Sequence, residues 1–204
     1  MLVRLYGKLP FQRRKLKKIH KQPNIKLNFG CGLTHYSDWI NIDGFFAKHV
    51  DIVLDLRRSL PFADNTVDYC YSEHFLEHLY PIEGMKHLSE VLRILKPGGV
   101  YRVVVPAGIR FAEKYINNDN DFFKLAFPWC DRPIEAVYDI VNFGGEHRNI
   151  FDLPQLNHMG KKVGFSLIKE SAVNASQSPS LQIDKSDPQR VAESLYVEFV
   201  KAVK

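Results

Sequence analysis

The sequence predicts a three-layer α/β domain built on a mostly parallel sheet, and three observations carry that expectation. From residue 25 onward, short runs rich in Val and Ile alternate with loops or a helix-spaced segment, the order that right-handed crossovers impose on a parallel sheet. The ends of those runs carry glycines and acids, where ligands meet the carboxyl edge of such a sheet. Between them, Pro81–Leu95 repeats its apolar residues every three or four positions, the period of a helix with one buried face.

The elements follow in order. Ile25–Phe29 reads as a short buried strand ending at Gly30-Cys31-Gly32, Trp39–Ile42 as a second closing on Asp43-Gly44, and Val50–Leu54 as a third ending at Asp55. Asp64-Asn65 supplies turn chemistry before a fourth strand, Val67–Tyr71. Pro81 opens the helix, whose inward positions are Ile82, Met85, Leu88, Val91, Leu92 and Leu95, with Glu83, Lys86, Glu90 and Arg93 outward. Lys96-Pro97-Gly98-Gly99 stops it, and Val100–Val105 is a fifth strand. Residues 107–150 are less regular and rich in aromatics. Asp152 is placed to cap a helix with Leu153, Leu156, Met159 and Val163 inward and Gly164 at its end. Phe165–Ile168 and Leu195–Val200 read as the last strands, joined by a polar loop around 171–190.

A chain of 204 residues with 45% apolar and 25% charged residues has the proportions of a globular protein, able to bury roughly 70% of its unfolded surface. No apolar run approaches the length of a transmembrane helix, and the N-terminus lacks the apolar core of a signal peptide. Three cysteines with no Cys-x-x-Cys pair fit free thiols in a reducing cytosol rather than a zinc site or a disulfide framework. Residues 1–26 hold nine Lys and Arg and no acid, so of the total charge of +5 the remaining chain carries −4. A basic arm over residues 1–24 thus precedes a domain over 25–204. Its interleaved Leu2, Val3, Leu5, Tyr6, Leu9, Phe11, Leu16 and Ile19 suit either peripheral contact with an anionic membrane or nucleic acid, or simple docking on the domain.

Leu27-Asn28-Phe29-Gly30-Cys31-Gly32, Asn41-Ile42-Asp43, Asp55-Leu56 before Leu60-Pro61-Phe62, Val67-Asp68-Tyr69 running into His74-Phe75-Leu76-Glu77-His78, and Leu92–Gly99 occur in a fixed order. Together they resemble the cofactor motifs of class I S-adenosylmethionine-dependent methyltransferases, particularly the type 11 group and its small members with a Gly-Cys-Gly loop and a His-x-x-Glu-His segment. The resemblance is strong over residues 25–106, and Glu193–Glu198 is similar to the last strand of those members. It implies a Rossmann-like class I methyltransferase fold with an antiparallel last strand, and S-adenosyl-L-methionine as cofactor. The implied cofactor residues are Asn28, Phe29, Gly30, Cys31, Gly32, Asp43, Gly44, Asp55, Leu56, Ser72 and Glu73. Asp55 and Leu56 would meet the adenine, and Ser72 the methionine end.

The residues support the same ligand independently. Glycines at 30 and 32 let backbone approach a ligand closely, and no Gly-Lys-Ser/Thr follows to make a phosphate loop. Asp43 at a strand end can accept both ribose hydroxyls. Against these stand two departures. Asn28 replaces the acid common in the family, and Asp43, only eleven residues after Gly32, leaves room only for a turn around Leu33–Asp38 in place of the first helix, with His35 or Trp39 to fill the gap. A non-catalytic binding protein of the same fold therefore stays open.

His74-Phe75-Leu76-Glu77-His78 also matches the inverted zinc-protease signature, although inside this motif set the expectation is no metal, with Glu77 and His78 capping or hydrogen-bonding the helix start. His74 is the first candidate base for an alcohol acceptor, with His147 and Glu146 second. The fourth strand ends without the Asn/Asp-Pro-Pro-Tyr of base-amine methylation, and Cys31 and Cys70 are poorly placed as nucleophiles, which counts against DNA methylation and leaves nucleic acid the less favoured partner. The aromatic insert at 107–150 is expected to form a lid or an acceptor pocket, or else a local core patch. The expected acceptor is a small molecule or glycan, of the kind that related members are associated with in surface polysaccharide synthesis. An RNA or protein methyltransferase guided by the basic arm is the competing enzyme.

Overall fold

The computed structural model describes residues 10–203, and the expectations resting on Leu2 to Leu9 lie outside them. The seven-stranded sheet has the order β3-β2-β1-β4-β5-β7-β6, formed by β1 (Lys26–Phe29), β2 (Ile40–Asp43), β3 (Ile52–Val53), β4 (Val67–Glu73), β5 (Leu95–Pro106), β6 (Leu167–Ser171) and β7 (Ser194–Val200). The first five are parallel, and β7 runs antiparallel between β5 and β6. The order reverses between β1 and β4, so a crevice is expected outside their carboxyl ends.

The strands are where alternating burial and β-branched residues put them, with local shifts. β3 shrinks to two residues, and the strand expected at Phe165–Ile168 slides to Leu167–Ser171 because its partner fixes the register, with Leu167 opposite Val200 and Ser171 opposite Tyr196. Helix α1 (Pro10–Ile19) precedes the sheet, α2 (Pro81–Ile94) joins β4 to β5, and α6 (Leu153–Val163) precedes β6. Between lie α3 (Gly108–Ile116), α4 (Asn120–Ala126) and α5 (Pro133–Asn142), and a short α7 (Pro188–Glu193) leads into β7. Asp152 caps α6 by accepting from Gln155 N–H, and Gly164 ends it in a left-handed conformation, φ 115°.

One face of the sheet buries Leu27, Phe29, Cys70, Tyr101 and Val103 against Leu88, Val91, Leu156 and Met159 of α2 and α6. Ile19 of the arm joins this core, while Lys15 pairs with Asp51 at 2.7 Å and His20 Nε2 donates to the Pro61 carbonyl. The described part of the arm is thus docked on the domain. On the opposite face no helix fills the β1–β2 connection, as the short spacing predicts. That face is covered instead by the segment around 173–184, whose Leu181 packs on Trp39, Tyr71, Val104 and Tyr196. The polar loop is therefore folded onto the sheet, tied by Asp184 to the fully buried Arg102 at 2.5 Å. Helices α3–α5 gather Phe111, Phe123, Phe127, Ala136 and Ile140 into a separate small core, so the aromatic insert is in part the local core patch.

Candidate functional site

At the reversal point two adjoining cavities share Gly30, Gly32 and His74. The smaller, about 290 Å³, is lined by Asn28, Tyr36, Tyr71, Glu73 and Lys185. The larger, about 490 Å³, is lined by Asp43, Gly44, Leu54, Asp55, Leu56 and Phe75.

The loop after β1 turns through two left-handed glycines, Gly30 at φ 61° and Gly32 at φ 55°. A Cβ on Gly30 would lie 2.5 Å from the Phe75 ring, whereas one on Gly32 would meet no protein atom within 4 Å. Asp43 braces the loop: Oδ2 accepts from Gly32 N–H at 2.9 Å and Oδ1 from Gly44 N–H at 2.6 Å. Asn28 donates to Asn41 Oδ1 at 3.1 Å, which ties β1 to β2 beneath the smaller cavity.

β4 alternates its side chains between the two faces. Ser72 turns away from both cavities into the core, where its hydroxyl meets Tyr101 Oη at 2.8 Å. Tyr71 and Glu73 therefore line the ligand side, and the expectation that Ser72 meets the methionine end is corrected. Phe29 is likewise a core residue, edge-on to His87 and Tyr101, so it contributes no side chain to the site. Trp39 is buried in the core of the other face and His35 is exposed, and Tyr36 takes the position expected of them. Asp55 faces the larger cavity, but Arg57 and Arg58 bind its carboxylate at 2.8 and 3.0 Å. The bond from Arg57 chiefly holds it down to about 2, so Asp55 can only be a shared acceptor for an adenine amine. Burial pushes the Cys31 thiol up to about 12, and Cys70 is wholly buried, so neither is a nucleophile at neutral pH.

His74 stands at the meeting of the cavities with φ 48°, a conformation unusual for a residue with a Cβ. Nε2 lies 3.0 Å from Ser194 Oγ, and Arg190 Nη1 donates to Nδ1 at 2.8 Å. Burial first and the Arg190 charge second hold the imidazole well below its ordinary pKa, so it is neutral. Arg190 also pairs with Glu73 at 3.0 Å and Glu193 at 2.7 Å, while Lys185 pairs with Glu73 at 3.4 Å. Among the other candidates, Glu146 lines the larger cavity beside His78. His147 sits behind that wall, with Nδ1 donating to the Ile140 carbonyl at 2.8 Å.

The segment 74–78 is a loop followed by a single 3₁₀ turn, Leu76–His78, so His74 and His78 do not share a helix face as the zinc-protease pattern requires. Nor does Glu77 or His78 cap a helix. The backbone N–H of Tyr80 is met by Glu83, and both Glu77 carboxylate oxygens are buried without a hydrogen-bond partner. Burial pushes the Glu77 carboxyl up to about 8.

Of the residues that line the site, Tyr71 was within reach of strand alternation. Lys185 and Arg190 were not, because they arrive from a distant polar segment with no local signal.

The sheet order and its crevice are similar to those of class I S-adenosylmethionine-dependent methyltransferase domains. Residues 38–103 match the family model of the Methyltransferase domain, type 11. The chain is 30% identical over 122 residues to sterol 24-C-methyltransferase of Schizosaccharomyces pombe, a match spanning 60% of this chain and 28% of that protein. In fold it is similar to a SAM-dependent methyltransferase from Archaeoglobus fulgidus, with TM-score 0.53 and 14% identity over 94% of this chain and 92% of the other. It is also similar to a possible histamine N-methyltransferase from Thermotoga maritima, with TM-score 0.53 and 16% identity over 98% and 92%.

The residues present fit the cofactor of this class. The larger cavity joins an apolar wall of Leu54, Leu56 and Phe75 to a carboxylate, Asp43, as a nucleoside requires. The smaller one offers both signs, Glu73 and Lys185, to a zwitterionic aminocarboxylate. Glu73 places a carboxylate on that wall, where Asn28 carries no charge. The space above Gly32 is open where a ligand must approach backbone.

Proposed function

We propose that this chain transfers a methyl group from S-adenosyl-L-methionine to a hydroxyl of a small-molecule or glycan acceptor. The observation that carries the reading is the junction of the two cavities at Gly30, Gly32 and His74. Asp43, Leu54 and Leu56 would hold the nucleoside and Glu73 and Lys185 the aminocarboxylate, with His74 at the junction between them.

The cofactor supplies a methyl group on a sulfonium, already an excellent leaving group. The protein's tasks are to align the acceptor, exclude water and accept a proton. A hydroxyl becomes strongly acidic as its oxygen bonds to carbon, so a weak base suffices. His74 is in its unprotonated form, and Arg190 can release Nδ1 while keeping its pairs with Glu73 and Glu193. Glu146 at the cavity wall, and His147 behind it, are the second candidates. His74→Ala is expected to abolish turnover while cofactor binding persists.

Exposed Tyr115, Trp129, Tyr138 and Phe143 on the 107–150 insert suit the apolar face of a sugar ring or a flat small molecule. A glycan of surface polysaccharide synthesis, carried near an anionic membrane, would also use the basic arm over residues 1–24, with exposed Lys17 and Lys18 on its helix, and places the enzyme in the cytoplasm. No helix among the described residues is long and apolar enough to cross a membrane.

The test is calorimetric titration of S-adenosylmethionine into the wild type and Asp43→Ala. Binding is expected, and the substitution should weaken it by about tenfold or more, roughly 1.4 kcal/mol. Failure of the wild type to bind refutes the catalytic reading and leaves a scaffold of the same fold.

A further inference from the structure

The Glu77 side chain is 1% exposed, and neither of its carboxylate oxygens has a hydrogen-bond partner. A buried carboxylate left in that state is costly unless it takes up a proton or a cation meets it. What faces it is a set of imidazoles. His147 Nε2 lies 3.9 Å from Glu77 Oε1. Because His147 Nδ1 must donate its proton to the Ile140 carbonyl, Nε2 carries the lone pair. A lone pair thus faces a carboxylate oxygen across a gap too long for a direct hydrogen bond. His78 completes the group, its ring 5.0 Å from that of His147, and ligand atoms of Glu77, His78 and His147 all lie within 4.8 Å of one another.

The arrangement is braced from outside. The backbone N–H groups of Arg148 and Asn149 both donate to the Glu77 carbonyl, at 2.8 and 3.1 Å, clamping the 146–149 loop onto the 3₁₀ turn. Phe143 stacks on the His147 ring at 5.1 Å. An imidazole oriented by a bond from its other nitrogen to a backbone carbonyl is the usual outer support of a metal ligand. His74 also lies 3.9 Å from Glu77, but Arg190 and Ser194 already engage its nitrogens.

We propose that Glu77, His78 and His147 bind one divalent transition-metal ion of the zinc class. Two imidazoles and a carboxylate suit Zn²⁺ or Co²⁺ better than Mg²⁺ or Ca²⁺. With three protein ligands, a fourth position stays open. His78 lines the larger cavity, so the ion sits at that wall. The pairing differs from the sequence pattern of 74–78: His147, far along the chain, takes the place that spacing gave to His74. The site stands on its own geometry and does not depend on the acceptor or on methyl transfer.

The experiment uses the untagged full chain, stripped with chelator, desalted and titrated with Co²⁺, reading bound metal and visible absorption. About one equivalent is expected, with the intense d–d bands of a four- or five-coordinate site, displaced by Zn²⁺. Glu77→Gln and His147→Ala should each weaken binding by about tenfold or more. His158→Ala, at an exposed position on α6, should leave it unchanged. If His147→Ala fails to fold, His78→Ala at the cavity wall carries the test. Retention of far less than one equivalent by the wild type, or equal binding in the site variants, overturns the proposal.

Discussion

Gly30 and Gly32 have nearly the same backbone conformation, φ 61° and 55°, but opposite surroundings, so alanine at each position separates two physical effects. Both substitutions force a Cβ into the left-handed region, at a cost of about 1–2 kcal/mol. At Gly32 nothing else is added, because no protein atom lies within 4 Å of the new methyl. At Gly30 the methyl meets Phe75 Cδ2, Cβ and Cγ at 2.5–2.6 Å, and Phe75 cannot retreat freely because its ring is packed edge-on to the buried His87. Overpacking of this kind adds about 1–3 kcal/mol. Gly30→Ala should therefore cost about 2–5 kcal/mol and Gly32→Ala about 1–2. For a chain of this size that corresponds to a fall in Tm of roughly 4–20 °C against 2–8 °C. The order reverses for ligand. The Gly32 methyl projects into the space shared by both cavities, so Gly32→Ala should lose S-adenosylmethionine binding while remaining folded. Thermal and urea denaturation read the first quantity and calorimetry the second. Equal destabilisation by the two substitutions, or unimpaired binding by Gly32→Ala, would refute the reasoning.

Three further outcomes follow from buried groups. His87 is fully buried, with Nδ1 donating to the Leu56 carbonyl, and burial lowers its pKa from 6.5 to about 4. The unfolded chain takes up this proton first as pH falls, so stability is complete above pH 6.5 and about 3 kcal/mol is lost on descending to pH 4. Urea unfolding across that range should show His87→Leu losing less than the wild type, and parallel losses would exclude the assignment. Arg102 is fully buried between Asp184 and Glu198, so Arg102→Met leaves the buried Asp184 without its cation, while Glu198 keeps Lys169 at 3.2 Å. It should cost about 3–5 kcal/mol, partly recovered by adding Asp184→Asn, and chemical denaturation of the single and double variants checks this. Ile19 is 4% exposed within the main core, so Ile19→Ala should cost about 2 kcal/mol or more. Hydrogen exchange on α1 reads whether the arm loosens with it, and an unchanged midpoint and exchange would mean that the arm contributes nothing to the fold.

Much of the fold was legible because it is local. Hydrophobic periodicity located α2 and α6, although Ile82, read as inward, is exposed and Leu95 belongs to β5; Asp152 and Gly164 marked the ends of α6, and the short interval between Gly32 and Asp43 excluded a first crossover helix. Each of these signals lies within about ten residues of the element it specifies, where backbone preference and side-chain period act directly. The glycine loop and Asp43 were legible for the same reason, since a left-handed turn and its bracing carboxylate follow consecutive strand ends. What a side chain faces was less so. Ser72 and Phe29 sit in the right strands but point into the core, because strand alternation assigns each residue a face only after the sheet has fixed which face meets the ligand.

The sequence by itself thus determined the strands, the caps and the order of the motifs, all governed by contacts between near neighbours. Only the tertiary structure brought Lys185 and Arg190 to Glu73 and His74, folded Asp184 onto Arg102, and set His147 opposite Glu77. Those pairings span 70 to 117 residues. They depend on where the sheet places distant segments, and no local pattern of residue types encodes that position.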